Sequence, residues 1–147
     1  SSGIAASRHN KDIFWTHNDS GDAAFVYAID RQGKHRGVWR VNGAEAQDWE
    51  DIAAWKDAKS GKSYIFIGDI GNNSKKREFL TVYRIVEPVV TAKDAATTKQ
   101  NPAETDAAEA IKLRYPEGNF DAETLMIHPP TGDLYIVTKI MGAAAKV

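Results

Sequence analysis

Three stretches of the chain can be laid over one another. "GIAAS RHNKD IFWTHND", "DIAAW KDAKSGKS YIFIGD" and "TLMIH PPTGD LYIVTK" each set a short apolar run, a polar turn and a second apolar run in the same order. This repeat constrains the fold more than any single motif, because a unit so small cannot bury its own apolar faces and has to stack on its neighbours. Ile4 and Asn18 stand as far apart as Leu125 and Lys139, while Ile52 and Asp69 are slightly further apart because that turn is longer. In the first two units the second run is followed by "VYAID" (26–30) and "VYRIV" (82–86), and then by a fourth run.

The runs themselves read as strands. Those at 12–17, 24–30, 37–41, 63–70, 80–86, 110–115 and 133–140 are rich in β-branched and aromatic residues and bounded by Gly, Pro, Asn, Asp or Ser. Runs 3–7, 50–55 and 123–128 are weaker by propensity and are assigned as strands from the repeat. The unit is thus a four-stranded antiparallel meander, with Ile4, Ile52 and Leu125 at equivalent positions. The second interval is the longer one because of an Ala/Thr/Lys/Glu-rich insert at 91–110, expected to be an exposed, partly disordered loop with a helical turn. Meanders of this length are propeller blades. The expected fold is all-β, a partial β-propeller belonging to a six- or seven-bladed ring: blade one at about 1–47, blade two at 48–120, and the start of blade three at 121–147. An incomplete ring implies partners, either the remaining blades of the same propeller or further copies of the chain.

Composition removes several function classes. With 19 Lys+Arg against 20 Asp+Glu, the net charge of -1 gives no footprint for nucleic acid. The absence of cysteine excludes disulfides, thiolate metal sites and cysteine nucleophiles. No apolar run approaches the roughly 18 residues of a membrane span. The chain opens "SSGIAAS", without methionine or the basic and apolar segments of a signal peptide, and so reads as a processed or excised piece of a longer protein.

An up-and-down meander turns alternately at its two ends, which sorts the polar residues. "DWED" (48–51) and "DAET" (121–124) lead into first strands, while "THNDSGD" (16–22) and "GDIGNNS" (68–74) join second strands to third, so all four fall on one rim. Strict alternation puts Asp48, Glu50 and Ile52 on one side, and Asp121, Glu123 and Leu125 likewise. Glu50, Asp69, Asn72 and Glu123 are the candidate metal ligands, and clustered carboxylate and amide oxygens favour Ca²⁺ over Mg²⁺. Asn18, Asp19, Asp48, Asp121 and Lys139 are candidate ligand contacts on the same rim. Two other roles suit the same residues: Asp and Asn satisfy turn backbone by themselves, and acids at the start of a strand can staple neighbouring blades through backbone N–H groups. His17, like the spare carboxylates, is a candidate general base on this rim, its other reading being a hydrogen-bonding turn residue. The run Lys75, Lys76, Arg77 reads as a solvated loop able to contact an anion. Trp15, Trp39, Trp49 and Trp55 are expected to pack between blades, with Trp49 the one placed to stack on a sugar.

Together, "SGIAASR…FWTHNDSGD", "DWEDIA…YIFIGDIGNN", "VYRIVEP" and "YPEGNFDAETLMIHPPTGDLYIVTK" resemble a family of bacterial β-propeller proteins, often exported. The resemblance covers nearly the whole chain and implies a secreted or periplasmic protein. A looser similarity links the acid-x-acid strand starts to calcium-dependent propeller phytases, in which such acids hold Ca²⁺ ions that bind phosphate and activate water. It implies that Glu50, Glu123 and Asp69 are calcium ligands, although Asp51 and Thr124 stand where the phytase pattern has glycine. Three functions follow as expectations: a binding module with an acidic, Ca²⁺-holding face for a small-molecule, glycan or phosphate ligand; a metal-dependent phosphoesterase; or a structural propeller whose acids are staples.

Overall fold

The computed structural model describes residues 2–19, 21–140, 142 and 144–147. In chain order the elements are β1 (Ile4–Ala6), β2 (Ile13–Thr16), β3 (Phe25–Asp30), β4 (His35–Arg40), β5 (Trp49–Lys56), β6 (Ser63–Asp69), β7 (Leu80–Val86), a 3₁₀ turn (Ala92–Ala96), β8 (Ala103–Glu104), β9 (Glu109–Leu113), β10 (Asp121–Ile127) and β11 (Leu134–Lys139). They form three sheets in the order β1-β2-β3-β4-β8, β5-β6-β7-β9 and β10-β11. All pairings are antiparallel except β4 with β8.

The sheets stack through their apolar faces. Trp15, Ala28 and Trp39 of the first sheet meet Ile52, Ile65, Ile67 and Ile85 of the second. The opposite face of the second sheet, with Ala53, Phe66 and Val82, meets Ala122 and Leu125 of the third. Ile52 and Ala53 are sequence neighbours in β5 yet belong to different cores, as a strand covered on both sides requires. Each fully buried aliphatic side chain in these layers is worth about 1.5–3 kcal/mol, so the stacking is the main source of stability.

The insert differs from the expected loop. Residues 92–108 lie along the outer edge of the first sheet, while Glu109 and Ala110 open β9 of the second. Val38 N–H donates to the Thr97 hydroxyl at 2.8 Å, β8 pairs through Trp39↔Ala103 and Arg40↔Glu104, and the Asn42 amide donates to the Thr105 carbonyl at 2.8 Å. Propensity offered no reason to expect this, because the segment lacks an apolar pattern. What orders it is an edge strand whose unpaired backbone groups need partners. The expected helical turn is the 3₁₀ turn Ala92–Ala96, closed by a capping box between Thr91 and Asp94.

Polar staples join the sheets near the acidic rim. Asp51 accepts the N–H of Leu125 in β10 at 2.8 Å through one carboxylate oxygen and its neighbour Ile52 N–H at 2.8 Å through the other. Gly3 sits against the same carboxylate, where a Cβ would come within 2.6 Å of Asp51 Oδ1. Asp51→Ala is therefore expected to cost about 2 kcal/mol in urea unfolding, the value of a lost charged hydrogen bond with a stranded donor. Hydrogen exchange should be faster at Leu125; an unchanged rate there would count against the staple.

Candidate functional site: an acidic rim with two bulged glutamates

Strict alternation fails at two points that matter. In β5 the register steps from Trp49↔Asp69 to Asp51↔Gly68, leaving Glu50 as an extra residue, and in β10 it steps from Ala122↔Thr138 to Thr124↔Val137, leaving Glu123. Both glutamates occupy β-bulges, which bend a strand and re-aim a side chain. The bulge also explains why Trp49 and Ile52, three residues apart, lie in the same core. Trp49 is buried with its indole N–H on the Glu45 carbonyl, so it presents no face to a sugar.

Asp69, Asp121 and Asn72 are largely engaged by backbone and by Arg77. Asp69 accepts Asp48 N–H at 2.9 Å and Gln47 N–H at 3.4 Å, and forms an ion pair of 2.8 Å with Arg77. Asn72 accepts Arg77 N–H through its side-chain oxygen and donates to the Arg77 carbonyl. Its own backbone N–H donates to Asp121 at 2.6 Å, linking the β6–β7 turn to the third sheet. The Arg77 guanidinium further donates to the carbonyls of Gly71 and Asp69 at 2.7 and 3.1 Å. Arg77, expected in a solvated basic run, is thus an internal clasp, whereas Lys75 and Lys76 are exposed.

A second set of carboxylates crowds together beside this clasp. Ligand oxygens of Asp19, Asp48 and Glu50 lie within 4.8 Å of one another. Glu50 is only 6% exposed, and among the described residues no amine, guanidinium, amide or hydroxyl reaches its carboxyl group. Its near neighbours are the carboxyls of Glu123, Asp48 and Asp19. Glu123 in turn pairs with Lys139 at 2.7 Å. Gly71 is the floor of the cluster: a Cβ there would overlap Asp48 Oδ2 and come within 2.5 Å of Glu50 Oε1. Beside it opens a cleft of about 560 Å³ lined by Gln47, Asp48, Asn73, Ser74 and Lys76 among others.

The electrostatics follow from this crowding. Burial first, and then the charges of Glu123, Asp48 and Asp19, pushes the Glu50 carboxyl from 4.5 up to about 7. Burial also raises Asp48, against the pull of Arg77. Between pH 4.5 and about 7 the folded protein therefore holds a proton that the unfolded chain has released. In chelator, stability is expected to fall as pH rises through that window and to level off above it. The loss should amount to about 2 kcal/mol, one pKa unit being worth about 1.4 and part of the shift being screened by solvent at the open side of the cluster. Thermal melts of wild type and Glu50→Gln test this: the variant should show a flatter profile, and equal slopes would remove Glu50 as the cause.

Asn18 donates to Asp22 at 2.6 Å, and Asp22 also takes Lys99 of the insert at 2.5 Å. Burial works to raise Asp22, but Lys99, Asn18 and Tyr27 outweigh it and hold it at about 2. His17 is completely buried, with Nδ1 2.8 Å from the Asn18 carbonyl and its ring edge-on to Trp49. Burial pushes its pKa down, and its Nε2 has no partner among the described residues. Sequence reasoning missed Asp51 and Arg77 as connectors; for Asp51 the signal was its place in "DWEDIA", but the partner N–H lies 74 residues away. No known protein family, curated protein or solved structure matches the chain.

Proposed function

We propose that this chain is part of a β-propeller binding module whose acidic rim holds a divalent cation, Ca²⁺ in preference to Mg²⁺, at Asp19, Asp48 and Glu50. The observation that carries this reading is Glu50: a buried carboxyl on a bulge, with no cation and no N–H or hydroxyl donor among the described residues, sharing a hydrogen bond with the Glu123 carboxyl and facing two further carboxylates within 4.8 Å. A buried charge of this kind is costly unless a proton or a cation balances it. Three carboxylates supply part of the six to eight oxygens that Ca²⁺ accepts in loose geometry, and water or a ligand in the neighbouring cleft would supply the others. The propeller reading draws support from two four-stranded meanders followed by a hairpin of the same pattern. It is further supported by Lys146 lying beside β11, where Thr138 N–H donates to the Lys146 carbonyl at 2.9 Å. The cleft offers side-chain amides, the Ser74 hydroxyl and the exposed Lys76 as polar contacts for a ligand.

Isothermal titration of calcium into chelator-treated protein tests the cation site. Glu50→Gln is expected to lower affinity more than tenfold, about 1.4 kcal/mol or more. Gly71→Ala is the sharper probe, since it keeps every charge and displaces two carboxylates; a similar loss is expected. If wild type takes up no calcium, or if both variants bind as well as wild type, the reading fails.

A further inference from the structure

The repeat allows each face of each sheet to be compared with its equivalent elsewhere in the chain. On the face turned toward the following sheet, the cross-strand pairs are Ala5↔Trp15, Ala53↔Phe66 and Met126↔Tyr135. Trp15 and Phe66 are buried by the next sheet, whereas Met126 and Tyr135 are 47% and 42% exposed. On the opposite face, Ile52, Ile65 and Ile85 are buried against the preceding sheet. Their equivalents in the first sheet are Ile4, Phe14 and Ile29, with Phe14↔Ile29 standing in register as Ile65↔Ile85 does. Ile4 is 61% exposed, and the three residues line a shallow hollow of about 310 Å³.

The stack of sheets thus presents two different apolar faces, and its interior shows twice how such faces mate. We infer that the Met126/Tyr135 face of one copy docks on the Ile4/Phe14/Ile29 face of a second copy, as the first sheet docks on the second within the chain. The inference rests on this internal equivalence and is independent of the cation site. The occupant follows from the same equivalence: the side chains that cover a Trp15- or Phe66-type position inside the chain are aliphatic residues at the Ile52- or Leu125-type positions, and Ile4 is the uncovered member of that set. The contact is heterologous, since different patches meet, so it propagates head to tail until a ring closes.

Analytical ultracentrifugation of the whole chain tests this. Wild type is expected to sediment above the mass of a single chain, with a mass that rises with concentration. Tyr135→Lys removes one face and Ile4→Lys the other, each at an exposed position, and each should weaken self-association more than tenfold. An equimolar mixture of the two retains one intact face of each kind and should form a species of two chains. Met126→Lys and Ile29→Lys serve as second variants if either first one melts early. A wild type that stays at the mass of one chain overturns the inference. So does a mixture that stays monomeric, or a single variant that dimerises as wild type does, since that would require like faces to meet.

Discussion

Arg77→Met is expected to cost about 3–5 kcal/mol, because it leaves the Asp69 carboxylate charged, buried and without its cation. The Arg77 side chain is itself well covered, and its guanidinium does three things at once: it pairs with Asp69 and donates to the carbonyls of Gly71 and Asp69. Lys at this position would keep the charge but lacks the planar fork needed to reach all three acceptors, so Arg77→Lys should recover only part of the loss. The effect reaches the rim. Arg77 and Asn72 set the path of the β6–β7 turn, and that turn presses Gly71 against Asp48 and Glu50. Where the variant remains folded, its calcium affinity should therefore also fall. Urea unfolding measures the first effect, and a cost below about 1 kcal/mol would put Arg77 among ordinary surface charges.

Glu87→Ala should be comparably damaging at the opposite end of the sheets. Glu87 follows β7 and is buried; its carboxylate accepts the Ser7 hydroxyl, Arg8 N–H at 3.1 Å, the Asn10 amide at 3.3 Å and the indole N–H of the fully buried Trp15 at 2.8 Å. The acceptor thus ties the β1–β2 turn and the first core to the second sheet. Its removal strands several donors, each costing about 1–3 kcal/mol if water cannot reach it, so a total of about 3 kcal/mol or more is expected. Glu87→Gln keeps an oxygen for the indole but turns an amide N–H toward a donor, and should fall between. Both variants leave the acidic rim untouched. Calcium titration should be unchanged in either one that folds, which separates this hub from the Arg77 clasp. A melting temperature within a few degrees of wild type for Glu87→Ala would show that solvent satisfies those donors.

The register of the repeat, the ten strands expected from it and the gathering of "DWED", "GDIGNN", "HND" and "DAET" on one rim depend on local chemistry: period-two apolar patterning, turn residues and the parity of a meander. These are properties of neighbours in the chain, and the sequence by itself determined them. Only the tertiary structure decided which acid does what. Asp51, Asp69 and Asp121 accept backbone N–H groups, while Glu50, turned aside by a bulge, meets only other carboxyls among the described residues; a one-residue bulge has no compositional mark. Residues 92–108 of the insert lie on the first sheet, and Glu87 reaches Ser7 80 residues earlier. A hydrogen bond leaves no periodic trace in either partner, so contacts across such distances exist only once the sheets have stacked and brought donor and acceptor into reach.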